Sequence, residues 1–233
     1  MNSQDIIKCL DYTLLNLQAT DQELSEFCEK ANQFRPIAVC VFSKHAKFVK
    51  PLLDEGIRLS VVASGFPEGS TDLEEISESI SKACTEYVDE VDVVLEPRNQ
   101  DFPNETDLER LVAIRKAAGN STLKIILETP LLEERPLRAV ARMALAAGAD
   151  FVKSCTGKRG SCSEEAASIL AYEVMRHERT FNEQKGLKLS GGIRTLEDVN
   201  RLTRLVNNED PSIIESGSNR FRIGASSLLD QLA

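Results

Sequence analysis

DYTLLNLQAT, residues 11–20, follows the first apolar run of the chain and holds no glycine. That absence decides between two folds. Strand-like runs recur from end to end: IKCLDYT (7–13), IAVCVF (37–42), RLSVVASGF (58–66), EVDVVLE (90–96), LKIILE (123–128), FVKSC (151–155), LKLSG (187–191) and FRIGA (221–225). Helical patterns separate them: TDQELSEFCEKA, with a capping box at Thr20 and Glu23, SKHAKFVKPLLDEG, stopping on Gly56, then DLEEISESISKACTEY, NETDLERLVAIRKAAG, LEERPLRAVARMALAAG, SEEAASILAYEVMRHE, TLEDVNRLTRLVNN and a short final SSLLDQL. Strands alternating with helices make a parallel sheet, either open and doubly wound or closed. The open nucleotide-binding sheet carries a glycine-rich turn after its first strand, and DYTLLNLQAT has none. Eight strands in 233 residues without a linker predict one α/β domain over 1–233, a (β/α)8 barrel.

Composition excludes several functions. Lys plus Arg is 28 against 37 for Asp plus Glu, a net charge of −9, which opposes general nucleic-acid binding. No apolar run approaches the roughly 20 residues of a membrane span. MNSQDIIKCLD lacks a signal-peptide pattern, so a soluble cytoplasmic protein is expected. The six cysteines form no CxxC pair and are expected as free thiols. The two histidines, His45 and His177, stand in no metal-like cluster, so neither a zinc site nor a histidine triad is expected.

Side chains alternate across a strand, and in a barrel one face meets the helices while the other points inward. Val91, Val93 and Leu95 oppose Asp92; Leu123, Ile125 and Leu127 oppose Lys124 and Glu128; Leu187 and Leu189 oppose Lys188. The same parity sends Asp11, Cys40, Lys153 and Arg222 inward. Burying one charge costs several kcal/mol unless it is paired. Any one of these taken alone reads best as a buried ion pair; the whole set reads as a reactive site.

An amine in such a site has one prominent use, attack on a carbonyl to form a Schiff base. A free lysine, titrating near 10.4, is deprotonated in only about one molecule in a thousand at neutral pH. Burial and a neighbouring cation favour the neutral form. Lys153 and Lys188, expected two strands apart, are placed to supply that cation to each other, with Asp92 relaying protons. SGGIRT (190–195) and GASS (224–227) follow the last two strands, where barrels often hold phosphate on glycine turns and helix N-termini. TGK (156–158) adds an amide and a cation. Arg194 either reaches the phosphate or caps its own helix.

FVKSCTGK (151–158) resembles the F-[IV]-K-[TS]-x-T-G-K signature of the deoxyribose-phosphate aldolases. LKLSGGIRTLEDV resembles that family's second lysine motif and DEVDVVLE its acid–base aspartate strand. CLDYTLLNLQAT, AVCVF, SGFPEGS, LKIILET and RIGASSLL follow the family in the same order. The resemblance implies a metal-free, cofactor-free barrel that reversibly cleaves 2-deoxy-D-ribose 5-phosphate to acetaldehyde and D-glyceraldehyde 3-phosphate. It implies Lys153 as the imine-forming amine, Asp92 and Lys188 as proton handlers, and Asp11, Cys40, Lys124 and Thr156 around the substrate. It places phosphate on Gly157, Lys158, Gly191, Gly192, Arg194, Gly224, Ser226 and Ser227. The expected partners are a small sugar phosphate and aldehydes, with a homodimer as the assembly.

Three departures from the family stand out. Position 155 is Cys where a Ser or another small residue is commoner, and KRGSCSEEA (158–166) replaces small and apolar residues, with Arg159 an added cation near the mouth. Some members end in a longer tail with a tyrosine that helps proton transfer; here Ala233 follows the last short helix, and that contribution is expected to be absent or supplied by water. The competing functions are another sugar-phosphate Schiff-base aldolase or a transaldolase, and a non-catalytic barrel that binds a sugar phosphate.

Overall fold

The computed structural model describes residues 1–85, 87–97 and 101–232. Eight parallel strands close in sequence order: β1 Leu10–Leu14, β2 Ala38–Phe42, β3 Arg58–Ala63, β4 Glu90–Val94, β5 Thr122–Ile126, β6 Phe151–Lys153, β7 Gly186–Ser190 and β8 Phe221–Ala225, with β8 pairing back onto β1. The expected barrel is the observed one. Among the described residues, no helix is long and apolar enough to cross a membrane.

The α-helices are α1 Ser3–Ile7, α2 Asp21–Phe34, α3 Ala46–Val49, α4 Leu73–Ala83, α5 Glu105–Ala118, α6 Glu134–Ala146, α7 Glu164–Phe181, α8 Leu196–Glu209, α9 Pro211–Glu215 and α10 Leu229–Leu232. The capping box at Thr20 is formed: its hydroxyl accepts the Glu23 N–H while Glu23 accepts the Thr20 N–H. Three elements differ from expectation. Ile7 ends α1 instead of opening β1, because Asn2 and Asp5 form a capping box that starts a helix there. SKHAKFVKPLLDEG is not one helix to Gly56; it runs as two short 3-10 turns around α3, since Pro51 has no N–H to continue the ladder. Helix α9, capped by Asp210 with Pro211 in its first turn, was not foreseen.

The strands carry two separate buried layers. Val39, Val41, Leu59, Val61, Val91, Val93, Leu123, Ile125, Val152, Leu187, Leu189 and Ile223 join the helix-facing apolar cluster. Each such side chain contributes about 1.5–3 kcal/mol on full burial. Ala38, Cys40, Val62, Val94 and Ile126 are equally buried but lie outside that cluster, on the inward face with the charges. This division is the parity read from the sequence, and it lets the apolar layer hold the barrel while the interior carries ionised groups.

Candidate active site

Alternation along β4, β5, β6 and β7 aims Asp92, Lys124, Lys153 and Lys188 into the barrel. Lys153 and Lys188 are register partners on adjacent strands, closer than the two-strand separation expected. Both amines donate to one atom, Asp92 Oδ2, each at 2.8 Å. Lys188 Nζ also donates to Asp11 Oδ2 at 2.5 Å. Lys124 Nζ reaches Asp92 Oδ1 at 2.9 Å, Glu90 Oε2 at 2.5 Å and Ser60 Oγ at 3.0 Å. Arg222 closes the set, donating to Asp11 Oδ1 at 2.7 Å and Glu90 Oε1 at 2.8 Å.

Sequence reasoning overlooked Glu90 and Ser60. The signal was present, since Glu90 lies two residues before Asp92 and therefore on the same face. Without Glu90, Lys124 and Arg222 would lose a counter-charge that both of them share.

The charges fix each other's protonation. Burial alone would raise the Asp92 pKa, but Lys124, Lys153 and Lys188 outweigh it and hold the carboxyl well below its usual range. Asp11 is likewise lowered, burial being overcome by Lys188, Lys124 and Arg222. Burial opposes the Lys188 charge, yet Asp11 and Asp92 raise its pKa above the ordinary lysine value. Lys124 is raised in the same way, by Asp92, Glu90 and Asp11 against burial. Lys153 differs from both. It has a single carboxylate oxygen, shared with Lys188, and retains 3% exposure where Lys124 and Lys188 have none.

That residual exposure opens into a cavity of about 200 Å³ at the C-terminal ends of the strands. Lys153, Thr156, Gly157, Lys158, Ser190, Gly191, Gly192, Arg194, Gly224 and Ser226 line it, together with Thr13, Leu15, Ile193 and Ala225 from the strand ends and turns. Ser227 is not in the lining. Asp11 and Lys124 lie one layer deeper, in the ion network, and Cys40 is fully buried beside it, where burial raises its thiol pKa. Gly157, Gly191 and Gly192 have φ of +74°, +94° and +76°, a region that favours glycine. At Gly191 a Cβ would also fall 2.3 Å from Cys155 Sγ, so the thiol fills the space beside the turn. Arg194 lines the cavity, and its backbone N–H joins the α8 cap by donating to Asp198.

One expectation is corrected at the mouth. Glu128 does not join the interior network: β5 ends at Ile126, and Glu128 adopts a left-handed conformation with φ of +46° that turns its carboxylate toward the loop after β6. Arg159, the cation expected there, is paired with Glu96 and Glu128.

No model of a known protein family matches the chain. Individual relatives do. The chain is 32% identical over 225 residues to the deoxyribose-phosphate aldolase of Clostridium novyi, covering 94% of this chain and 91% of that one. It is 31% identical over 229 residues to the deoxyribose-phosphate aldolase of Lysinibacillus sphaericus, covering 96% and 93%. The solved tetrameric structure of deoxyribose phosphate aldolase from Aeropyrum pernix superposes with a TM-score of 0.76 at 26% identity, covering 99% of this chain and 91% of that one. A relationship that runs the whole length of the barrel, through the strands that carry both inward lysines, means that this chain belongs to the deoxyribose-phosphate aldolase family.

Proposed function

We propose that the protein is an aldehyde-lyase that reversibly cleaves 2-deoxy-D-ribose 5-phosphate to acetaldehyde and D-glyceraldehyde 3-phosphate through an imine on Lys153. The observation that carries this reading is the shared oxygen: Lys153 and Lys188 both donate to Asp92 Oδ2, and of these two amines Lys153 alone borders the cavity.

Imine formation requires a neutral amine. Once Lys153 has released its proton, Lys124, Lys188 and Arg222 balance Asp11, Glu90 and Asp92 one for one in the closed interior. The neutral Lys153 nitrogen attacks C1 of the open-chain aldehyde; loss of water leaves a protonated imine. A base removes the C3 hydroxyl proton, the C2–C3 bond breaks, and its electron pair enters the imine to form an enamine. C3 leaves as the aldehyde of glyceraldehyde 3-phosphate. Protonation of the enamine at C2 and hydrolysis by water release acetaldehyde and regenerate the amine. Asp92, ionised at rest, accepts the proton directly or through water, and protonated Lys188 returns one. The glycine turns after β6, β7 and β8, with Lys158 and Arg194, receive the phosphate by backbone amides and positive charge.

The reading extends to a cytoplasmic enzyme acting on a free sugar phosphate as a homodimer, which sedimentation of the purified protein tests. The chemistry is tested by adding acetaldehyde and borohydride, digesting, and mapping the modified peptide by mass spectrometry. Modification of Lys153, together with release of glyceraldehyde 3-phosphate from deoxyribose 5-phosphate, is the expected result. An unmodified Lys153 overturns it.

A further inference from the structure

We propose that Arg159 is a positioning residue that sets affinity for the phosphate end of the substrate by holding Glu128 against the 156–158 turn; this deepens the aldolase reading and rests on it. The guanidinium grips Glu96 with both nitrogens, Nη1 to Oε1 at 2.8 Å and Nη2 to Oε2 at 2.7 Å. The Nη2–Glu96 contact is an ion pair; Nη2 donates its hydrogen bonds to Glu128 Oε2 at 3.1 Å and to the Pro67 carbonyl at 3.2 Å. One side chain after β6 thereby joins the segments that follow β3, β4 and β5.

Glu128 gives this clasp its consequence. It is fully buried, it is a non-glycine residue at positive φ, and its other oxygen, Oε1, accepts the Thr156 N–H at 3.3 Å. Such backbone strain persists only where the surroundings over-determine it. Among the described residues, Arg159 is the cation paired with that buried carboxylate. Thr156 Oγ1 in turn accepts the Lys158 N–H at 3.1 Å, so the contact at Glu128 is passed along the turn that lines the cavity. Across the cavity the turn abuts the β7 loop: a Cβ on Gly157 would lie 3.3 Å from Gly191 Cα. Displacing the 156–158 turn therefore changes the spacing between the two glycine turns. The amines at Asp92 lie deeper and are held by separate partners.

Without Arg159, Glu128 remains a buried charge lacking its cation, and the turn must shift or the carboxylate must take up a proton. Arg159→Met is expected to raise KM for 2-deoxyribose 5-phosphate roughly tenfold, the weight of one well-placed hydrogen bond. Its kcat, and its KM for unphosphorylated 2-deoxyribose, should move by less than about twofold. The double variant E128Q/R159M should recover most of the loss, since a neutral amide oxygen still accepts the Thr156 N–H and leaves no buried charge. Arg159→Lys, which keeps the charge without the fork, should give an intermediate KM, and it carries the test if R159M does not fold. An unchanged KM for the phosphorylated sugar, an equal rise for both sugars, or no recovery in the double variant overturns the proposal. Titration with inorganic phosphate separates it from the aldolase reading: weaker binding by R159M in a protein that cleaves nothing sinks that reading and keeps this one. Equal phosphate binding in an active pair sinks this one alone.

Discussion

Lys188 Nζ lies 2.5 Å from Asp11 Oδ2, a contact that spans the barrel interior from β7 to β1 across the intervening β8. It separates the roles of two lysines that share Asp92. With Asp11 as a second counter-charge, Lys188 is raised above the ordinary lysine value and stays a cation. Lys153 pairs with no second carboxylate among the described residues, and it faces the cavity. The nucleophile and the fixed cation are thus distinguished by one carboxylate on another strand.

Exchanging the two lysines in turn tests this assignment. Lys153→Met should lower kcat by about four orders of magnitude or more and abolish borohydride trapping with acetaldehyde. Lys188→Met should lower kcat by roughly a hundred- to ten-thousandfold, the usual weight of a proton-transfer group, while trapping still maps to Lys153. Trapping on Lys188 in the wild type would reverse the roles.

The Asp11 contact also predicts a pH-dependent stability. The folded pKa of Asp11 is lowered, so its contribution is present above the unfolded value of about 3.9 and disappears as the pH falls further. Lys188 is raised, so its contribution is complete below about 10.4 and fades only as the pH rises beyond that. Asp11→Asn, which leaves Lys188 and Arg222 short of a buried counter-charge, should cost about 3 kcal/mol at neutral pH. In thermal melts followed by circular dichroism, the gap between wild type and variant should be flat from pH 5 to 9, bounds set about one unit inside those two values, and narrow toward pH 3. A gap that persists undiminished in acid would show that Asp11 acts by packing rather than charge.

Much of this was legible because barrel strands obey a two-residue period. Asp92, Lys124, Lys153 and Lys188 could be aimed inward from spacing alone, and the apolar residues between them went to the helix layer. Parity fails where the strand ends. Glu128 continues the alternation of β5 on paper, yet its left-handed backbone turns it away to Arg159 and Thr156. The Arg159 clasp joins residues 63 and 92 positions apart, Glu96 and Pro67, and no local pattern encodes such a meeting. Ile7 read as strand because apolar content at the end of a five-residue helix has no room to display a helical period.

The α2 cap offers a check on the frame independent of the site. Thr20 accepts the Glu23 N–H at 3.2 Å, and Glu23 accepts the Thr20 N–H at 2.7 Å. Thr20→Ala removes the acceptor for the first turn and should cost about 1 kcal/mol in denaturant melts. The kinetics should be unchanged, because neither Thr20 nor Glu23 lines the cavity. A fall in kcat would mean that α2 carries strain into β1.

Gly224 makes the sharpest claim about packing around Lys188. It is the register partner of Asp11 and of Ser190, and an added Cβ would come 3.1 Å from Lys188 Cε and 2.9 Å from Ser190 Cβ. The 2.9 Å approach forces a shift at Ser190, and the 3.1 Å approach is tight enough that the Lys188 stem must give by a few tenths of an ångström. The Ser190 hydroxyl is anchored by donating to the Cys155 carbonyl at 2.7 Å, so the flexible Lys188 stem takes up much of the displacement. Its ammonium then slides off the oxygen it shares with Lys153. Gly224→Ala should therefore cost about 1–3 kcal/mol in stability from overpacking. It should also lower kcat by about a hundredfold, the scale of a misplacement near 1 Å. Imine trapping on Lys153 should survive, since that amine does not touch Gly224. A variant whose kcat matches wild type while its stability drops would show that Ser190 moves and Lys188 stays, and would detach Gly224 from the proton-handling geometry.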